Sequence, residues 1–520
     1  VETCHKTVVF RVDASYEIGT GHVMRCLALA DGLTNEGADA VFVCREHEGH
    51  LFALIEERGF RVLGLPAPRE RWTRDEPAPA HAIWLGTDWR TDADETIKAL
   101  DNIRPDWLVV DHYAIDARWE EQLRSISGHI LAIDDLADRP HACDALVDQN
   151  LVANVRARYK DHVPDGTTLM LGPDYALLRP EYLSLREQAA PRSGPIRRVL
   201  VSFGGVDRRG LTRATVEALL AMDDHDFEVD IVLSASSPDY ASMEHELAKR
   251  AGFRLHDRVP SLAPMMVAAD IMIGACGTTS WERLCLGLPA IVVTVADNQN
   301  AIAEELNRQG LARWIGDANG EIGDALRAVL AEIFDAGLDP SWSRRCLEVV
   351  DGKGVQRVCA VLGAHRNMPL GIRDAHPNDE ALLLEWANDP ETRRNAFNPK
   401  AITPEEHHTW FQNRLGRPAD CALYIAETET GVPVGQVRFE RHDDQWEISY
   451  ALAPIFRGRG LGRPMLVRAI AHLRRERPGV SLFGQVKPEN MASRKIFEAL
   501  EFAGRAAGPD RYVFERNFKE

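Results

Sequence analysis

A chain of 520 residues is too long for one ordinary domain and implies two to four. Its formal net charge of -18 excludes a general nucleic-acid or anionic-membrane binder, so any phosphate site must be local, built from glycine turns, helix N-termini and a few arginines. Nine cysteines, an odd number with no Cys-x-x-Cys spacing and several in apolar runs such as Val43-Cys44, point to reduced, buried thiols in a cytoplasmic protein, with neither a disulfide framework nor a metal site. The first residues lack the apolar core of a signal peptide, and the apolar run from Leu288 to Ala296 is far too short to span a membrane.

Up to about Tyr182, strands alternate with helices. Strands are expected at Val8–Val12, Ala40–Cys44, Trp107–Val110, Ile130–Ile133 and Ala145–Asp148, and a helical pattern follows at Leu51–Arg58. This alternation predicts a doubly wound α/β domain, whose binding residues gather at the carboxyl ends of its strands. Three polar clusters fall there: Asp13 to His22, Asp111-His112-Tyr113, and Asp134-Asp135. In the first, Gly19 and Gly21 occupy a strand-to-helix turn and His22 opens the helix that follows. Such a turn brings backbone N–H groups close to an anion, and the positive end of the helix disfavours imidazolium, leaving His22 as a neutral base. The equal alternative is a capped turn with a surface histidine. Asp13 either orients His22 or caps the turn, and Arg25 is an ion-pair partner or a substrate contact. Asp134 and Asp135 read as turn chemistry; Asp111 and His112, directly after an apolar strand, do not.

Gln188 to Arg197 has the Pro, Gly and Ser content of a linker. A second α/β pattern follows: a strand at Val199–Phe203 ended by Gly204-Gly205, a helix from Leu211 to Met222, and a strand at Val229–Leu233. Then Ile271-Met272-Ile273-Gly274-Ala275-Cys276-Gly277-Thr278-Thr279-Ser280-Trp281-Glu282 repeats strand, glycine turn and helix start. Thr278, Thr279 and Ser280 are expected to cap that helix. Glu282 either accepts from ribose hydroxyls or is a first-turn carboxylate. The strand Leu288–Thr294 ends in Ala296-Asp297-Asn298-Gln299-Asn300. Two such domains in tandem predict a cleft between them, where small-molecule sites concentrate.

Gly277-Thr278-Thr279-Ser280-Trp281-Glu282, followed by Leu286-Gly287-Leu288-Pro289, resembles the nucleotide-sugar half of the two-domain GT-B architecture. The opening Asp13-Ala14-Ser15-x-x-Ile18-Gly19-x-Gly21-His22-x-x-Arg25-Cys26, the segment Gly172 to Glu181 and Ala296-Asp297-Asn298-Gln299 resemble the pseudaminic-acid-pathway UDP-sugar hydrolase family, from Lys6 to Leu362. The resemblance implies two doubly wound Rossmann-like domains. It also implies UDP-2,4-diacetamido-2,4,6-trideoxy-β-L-altropyranose as substrate, with water displacing UDP at the anomeric carbon and His22 activating that water. Arg179 and Glu282 match substrate-binding positions, and the UDP-sugar set comprises Gly19, Gly21, Arg179, Gly205, Gly277, Thr278, Thr279, Glu282, Asn298 and Gln299. Glycine-turn amides and an arginine offset the leaving charge without a metal.

The character changes near Leu370. Helices are expected at Asp379–Trp386 and Pro404–Leu415, strands at Cys421–Glu427, Pro433–Glu440 and Trp446–Leu452, and a hairpin break at Gly431-Val432-Pro433. Arg457-Gly458-Arg459-Gly460-Leu461-Gly462 then leads into a helix at Met465–Arg475. The turn lacks the Walker A ending and the dinucleotide spacing, but its amides can cradle a pyrophosphate. With Val486 to Glu498 downstream, the stretch from Leu370 to Phe518 resembles the Gcn5-related N-acetyltransferase (GNAT) family. That implies an α+β fold with acetyl-CoA as co-substrate, its pyrophosphate at Arg457, Gly458, Arg459, Gly460, Leu461 and Gly462, a coenzyme contact at Asn490, and Arg494 as a phosphate contact or a surface arginine. Many relatives have, where Phe497 stands, a tyrosine that protonates the leaving thiolate; phenylalanine has no proton to donate. Glu447 and Tyr450 are candidates for the base, Glu447 equally a solvated strand residue. His407 and His408 read as surface residues or substrate-loop contacts. Asn388 to Arg393 and Glu406 to Phe411 resemble, more loosely, the sugar-nucleotide acetyltransferase of the same pathway.

The expected organisation is therefore a Rossmann-like domain over 1–187, a UDP-binding Rossmann-like domain over 198–362 and a GNAT domain over 370–520. The expected partners are a UDP-amino-sugar and acetyl-CoA, with no nucleic acid and no membrane. The two resemblances together imply consecutive steps: acetylation of the 4-amino group of UDP-4-amino-4,6-dideoxy-N-acetyl-β-L-altrosamine, then hydrolysis of the product. The alternatives are a GT-B glycosyltransferase joined to an unrelated amine acetyltransferase, or a chain in which one domain is a silent nucleotide-sugar-binding module.

Overall fold

The computed structural model describes residues 6–68, 78–204, 207–222, 226–257, 259–318, 320 and 322–518. The chain divides into two compact units, Val1–Val358 and Cys359–Glu520. Among the described residues no helix is long and apolar enough to cross a membrane.

The first unit holds two parallel sheets. One comprises β1 (Thr7–Val12), β2 (Asp39–Arg45), β3 (Arg61–Leu65), β4 (Trp107–Asp111), β5 (His129–Ile133), β6 (Ala145–Asp148) and β7 (Thr168–Leu171), in the order β3-β2-β1-β4-β5-β6-β7. The other comprises β8 (Arg198–Ser202), β9 (Glu228–Val232), β10 (Phe253–His256), β11 (Ile271–Ala275), β12 (Ala290–Thr294) and β13 (Arg313–Asp317), in the order β10-β9-β8-β11-β12-β13. Central strands such as Trp107–Asp111 and Ala290–Thr294 are buried at every position, as helices on both faces require. Both are doubly wound, Rossmann-like sheets, as the alternating pattern predicts. In each sheet the strand order reverses once, between β1 and β4 and between β8 and β11, and ligands of open α/β sheets bind at that switch.

The segment read as a linker is anchored. Arg192 is buried and donates to the backbone carbonyls of Ala269, Leu286 and Met266. The helix Gly354–Gly363 starts against the first sheet's trailing loop: a Cβ at Gly354 would fall on the Ala176 backbone, and Arg357 donates to the Asp174 carbonyl at 2.8 Å.

The second unit has one mixed sheet: β14 (Gly371–Asp374), β15 (Cys421–Glu427), β16 (Pro433–His442), β17 (Gln445–Leu452), β18 (Ser481–Val486), β19 (Ala503–Ala506) and β20 (Tyr512–Asn517), in the order β14-β15-β16-β17-β18-β20-β19. Only β17 and β18 pair in parallel; the other pairs are antiparallel. This is the expected α+β fold.

The eight described cysteines are all buried, and none of them is in a disulfide. Burial pushes the Cys285 and Cys346 thiols up to about 11.

One buried residue breaks the apolar rule in the central strand. Arg11 of β1 is fully enclosed, and its guanidinium donates to Asp13 Oδ1 at 2.7 Å and to Asp92 at 2.7 and 3.1 Å. Arg45, at the end of β2, adds a 2.7 Å bond to Asp92, and its backbone N–H donates to Asp13 Oδ1 at 2.6 Å. The Trp119 indole N–H completes the shell of Asp92 at 2.9 Å. Burial raises the cost of ionising Asp92, but Arg11 and Arg45 outweigh it and hold the carboxyl below its ordinary range. Removing one partner of such a set strands the others' charge. Asp92→Ala is expected to destabilise the first unit by about 3–5 kcal/mol, read as a lower urea midpoint. Asp94→Ala, exposed on the same helix, should shift it by less than about 0.5 kcal/mol; equal effects would show that the buried cluster contributes nothing special.

Candidate functional site

The turn after β1 is shaped by its own side chains. The Ser15 hydroxyl accepts from the N–H groups of Glu17 at 3.1 Å and Ile18 at 3.0 Å, and Gly19 takes a left-handed φ of 80°. The helix Gly21–Asn35 begins directly after. His22 lies in its first turn and is 8% exposed, which removes the surface-histidine alternative. Its Nδ1 is 2.6 Å from Asp111 Oδ1, and Asp111 ends β4, across the switch point from β1. The Tyr113 ring meets the imidazole edge-on, 4.6 Å between centroids at 86°. Arg25, one turn along the helix, donates to both oxygens of Asp111 at 2.6 and 2.7 Å and to Asp135 at 2.9 Å. It is therefore an ion-pair partner, and Asp135 is more than a turn residue.

Asp13 has neither of the roles expected of it. Its Oδ1 accepts from Arg11 and from the Arg45 amide, and its Oδ2 faces His112 Nε2 at 3.2 Å. The turn is capped by Ser15 instead. The Ala114 N–H donates to His112 Nδ1 at 3.1 Å, so the His112 proton sits on Nε2, facing Asp13.

In the second sheet the equivalent switch point presents Gly204 after β8 and Gly277-Thr278 after β11. Gly205 lies outside the described residues. The two turns face each other: a Cβ at Gly21 would sit 3.5 Å from Thr278 Oγ1. Gln299 closes in from the loop after β12, 3.6 Å from a Cβ at Gly277, while its side-chain oxygen accepts from the Val295 N–H at 2.9 Å. Asn298 beside it is exposed. Gly21, Gly277, Thr278 and Gln299 thus come together, with His22 directly after Gly21 in the chain. The expected hydroxyl caps do not form: the helix Thr279–Cys285 starts without a side-chain hydrogen bond at its N-cap. The Ser280 and Trp281 N–H groups instead bond back to the Gly277 and Thr278 carbonyls at 2.9 and 3.0 Å, tightening the first turn.

Glu282 is not a cap either. Burial pushes its carboxyl up to about 7, against the opposing pull of the Tyr182 hydroxyl and Arg179. Arg179 itself binds Glu181 at 2.7 Å, the Ser261 hydroxyl at 3.0 Å and the Pro260 carbonyl at 3.1 Å, with its guanidinium 5.7 Å from the Tyr182 ring centre. It holds the loop at Pro260-Ser261 beside Glu282.

In the second unit, β17 and β18 pair from Gln445↔Ser481 to Ile448↔Gly484 and then part, although the strands continue to Leu452 and Val486. The loop beyond β17 contains two left-handed glycines, Gly458 at φ 74° and Gly460 at φ 77°. Leu461 is buried, and the helix Gly462–Glu476 begins with its first amides directed toward that loop. Gly462 packs against Ile496, 2.7 Å from a Cβ at that glycine, which brings the helix Met491–Ala499 alongside. Asn490 caps this helix, accepting from the Ser493 N–H at 3.1 Å.

The arginines of the loop are committed elsewhere. Arg457 binds Asp389 at 2.5 Å, Thr392 at 2.8 Å and Glu391 at 3.2 Å, and Arg459 donates to the Val361 carbonyl at 2.9 Å. Arg494 stacks on Tyr512, 4.4 Å from its ring centre, and donates to the Pro488 carbonyl. All three side chains hold protein.

Phe497 is buried, stacked on Phe514 at 5.2 Å and pressed against Gly484. Tyr450, 6.2 Å from Phe497 between ring centroids, donates its hydroxyl to Ser493 at 3.0 Å, and burial pushes that hydroxyl up to about 12. Glu447 is engaged by Gln485 at 2.9 Å and His442 at 3.1 Å, so it is no simply solvated strand residue. His407 is buried against Trp410 and Phe411, not on the surface; His408 is exposed and pairs with Glu380 at 2.8 Å.

Residues 370–503 match the acetyltransferase (GNAT) domain family. An uncharacterized protein of Methanocaldococcus jannaschii is 24% identical over 97% of this chain and 98% of its own length, so both units recur together in one polypeptide. The spore coat polysaccharide biosynthesis protein SpsG of Bacillus subtilis is 24% identical over 67% of this chain and 96% of its own. The UDP-2,4-diacetamido-2,4,6-trideoxy-β-L-altropyranose hydrolase of Campylobacter jejuni is 25% identical over 58% of this chain and 97% of its own. The chain thus joins a region homologous to that hydrolase to a C-terminal GNAT acetyltransferase domain.

Proposed function

We propose that the chain catalyses two consecutive steps on one nucleotide sugar. The GNAT domain, over 370–520, acetylates the 4-amino group of UDP-4-amino-4,6-dideoxy-N-acetyl-β-L-altrosamine. The Rossmann-like pair, over 1–187 and 198–362, then hydrolyses UDP-2,4-diacetamido-2,4,6-trideoxy-β-L-altropyranose to free sugar and UDP, in the cytoplasm. The observation that carries the reading is the convergence of a histidine–carboxylate pair and a glycine turn at two facing switch points, Gly21 beside Thr278. The likeness to the Campylobacter hydrolase supports the choice of substrate.

In the hydrolytic step, water attacks the anomeric carbon, His22 takes its proton, and the C–O bond to UDP breaks with its electrons leaving on the diphosphate. Amides of the Gly277-Thr278-Thr279 turn receive the diphosphate. Glu282 accepts from the ribose hydroxyls. Arg179 acts by holding the loop beside Glu282, Gln299 by bracing Gly277, and Gly19 and Asn298 border the sugar. In the transfer step, acetyl-CoA supplies the acetyl group. The left-handed glycines at 458 and 460 leave room for a pyrophosphate against the amides up to Gly462, and the parted strands β17 and β18 offer unpaired backbone to an extended chain. Asn490 contacts the coenzyme through its remaining amide donors, and Arg494 borders its phosphates. Glu447 lies on β17 as the candidate to receive the ammonium proton.

Two measurements test this. With the amino-sugar nucleotide and acetyl-CoA, CoA should be released first and UDP after it; without acetyl-CoA, UDP release should fall sharply. His22→Ala should release CoA at the normal rate and accumulate the acetylated UDP-sugar. Normal UDP release from that variant would overturn the base assignment, and absence of both products would overturn the substrate. The second measurement uses Glu282. With a carboxyl near 7, the accepting ionised form is scarce at pH 6 and dominant at pH 8. Affinity for UDP-glucose, whose diphosphate ester does not titrate in this range, should therefore rise up to about tenfold between pH 6 and 8. Glu282→Gln should flatten that profile; a wild-type profile flat from the outset would remove Glu282 from the ribose.

A further inference from the structure

Resting on the hydrolase reading of His22, we infer that Asp111, clamped by Arg25, is a positioning residue that fixes which nitrogen of His22 reacts.

A carboxylate only accepts hydrogen bonds. With Asp111 Oδ1 at 2.6 Å, the His22 Nδ1 must carry a proton, and in the neutral ring the lone pair is then on Nε2. That Asp111 is ionised follows from its surroundings. Burial raises its carboxyl, but Arg25, then His22, outweigh the burial and hold it far below the carboxylate range. Arg25 grips it in two parallel bonds, Nε to Oδ2 at 2.6 Å and Nη2 to Oδ1 at 2.7 Å. Such a fork fixes the plane of the carboxylate as well as its charge. Arg25 Nη2 lies 3.2 Å from His22 Nδ1. Both atoms are donors to the same oxygen, so their closeness follows from sharing Oδ1 and is not a bond between them. Asp135 pins the third nitrogen of Arg25 at 2.9 Å, and Tyr113 sets the tilt of the imidazole from its edge. Asp13, nearer in sequence, does not compete: its Oδ1 accepts from Arg11 and the Arg45 amide, and its Oδ2 faces His112 Nε2 at 3.2 Å.

In the reaction, the water O–H bond breaks, its proton passes to Nε2, the new C–O bond forms, and the bond to UDP breaks with the electron pair on UDP. The imidazolium so formed keeps its Nδ1 proton on Asp111, whose negative charge stabilises it. The Nε2 proton then passes to solvent, restoring the neutral ring.

Asp111→Asn is the informative variant. Arg25 demands an oxygen acceptor, so the carboxamide turns its NH2 toward Nδ1 and forces the His22 proton onto Nε2, where the lone pair is needed. In the full-length protein, kcat for UDP release from the acetylated UDP-sugar should fall by about 10³–10⁴-fold with KM within about twofold, while CoA release by the other unit stays unchanged. The second measurement needs no variant to remain active: in 15N-histidine-labelled wild type, the resonance that disappears in His22→Ala should report a proton on Nδ1, and in Asp111→Asn on Nε2. A wild-type ring protonated on Nε2, or Asp111→Asn turning over at the normal kcat, overturns the inference. If instead His22→Ala itself releases UDP normally, the hydrolase reading of His22 has failed, and the nitrogen assignment of the wild-type ring is judged by its spectrum alone.

Discussion

Charge buried at the carboxyl end of the first sheet is the constraint on which the rest of that sheet's polar end depends. Arg11 in the central strand, Arg45 at the end of its neighbour and Arg25 on the first helix are all buried. A desolvated guanidinium is tolerated only when carboxylates and carbonyls surround it. Asp13, Asp92, Asp111 and Asp135 meet that demand, and each is drawn from a different part of the chain. Against well-packed apolar residues such a set has no certain advantage in stability. What it does give is direction: forked bonds fix orientations that apolar contacts leave free. The turn from Asp13 to His22 is laid on this frame, held from below by Asp13 and from the side by Asp111.

The second unit handles charge differently. Around its glycine loop the arginines are spent on protein partners, and the polar capacity that faces the loop is backbone. Left-handed glycines make this possible, since a side chain at φ 74° or 77° would be strained. Phe497 fits the same economy of side chains. Its ring fills the space above Gly484 and belongs to an aromatic cluster with Phe502 and Phe514. Tyr450, from the neighbouring strand, brings a hydroxyl to the same helix through Ser493.

Much of this was legible in the sequence. Apolar runs ending in glycine or polar clusters located β1, β4, β8, β11 and β12, and the motif after β17 located the glycine loop. The strands of the first unit that carry no clear sequence signature are β3, β7, β10 and β13, which are the edges of the two parallel sheets. Edge strands carry polar and half-exposed residues, as in Phe253-Arg254-Leu255-His256, so the continuous apolar signature of a buried strand is missing. At the site, His22 was legible from its local setting, and Asp111 from its place after an apolar strand. Their contact was not, because 89 residues separate them. Asp13 was given a local partner that the fold denies it, since nothing in the sequence reveals that Arg45 and His112 claim its oxygens first. Asp92 carried no signal at all: an acidic residue on an amphipathic helix reads as solvated until Arg11 is seen beneath it.

The thiols carry a practical consequence. Cys26, Cys44 and Cys143 belong to the first sheet and its flanking elements, Cys276, Cys285 and Cys346 to the second, and Cys421 to the sheet of the second unit. All are buried with their thiols pushed up, so in the closed state they are poor nucleophiles. A thiol becomes alkylable only when the layer covering it opens. The chain therefore carries a set of built-in reporters, one group per sheet, and the position labelled first by a small electrophile identifies the layer that breathes most readily.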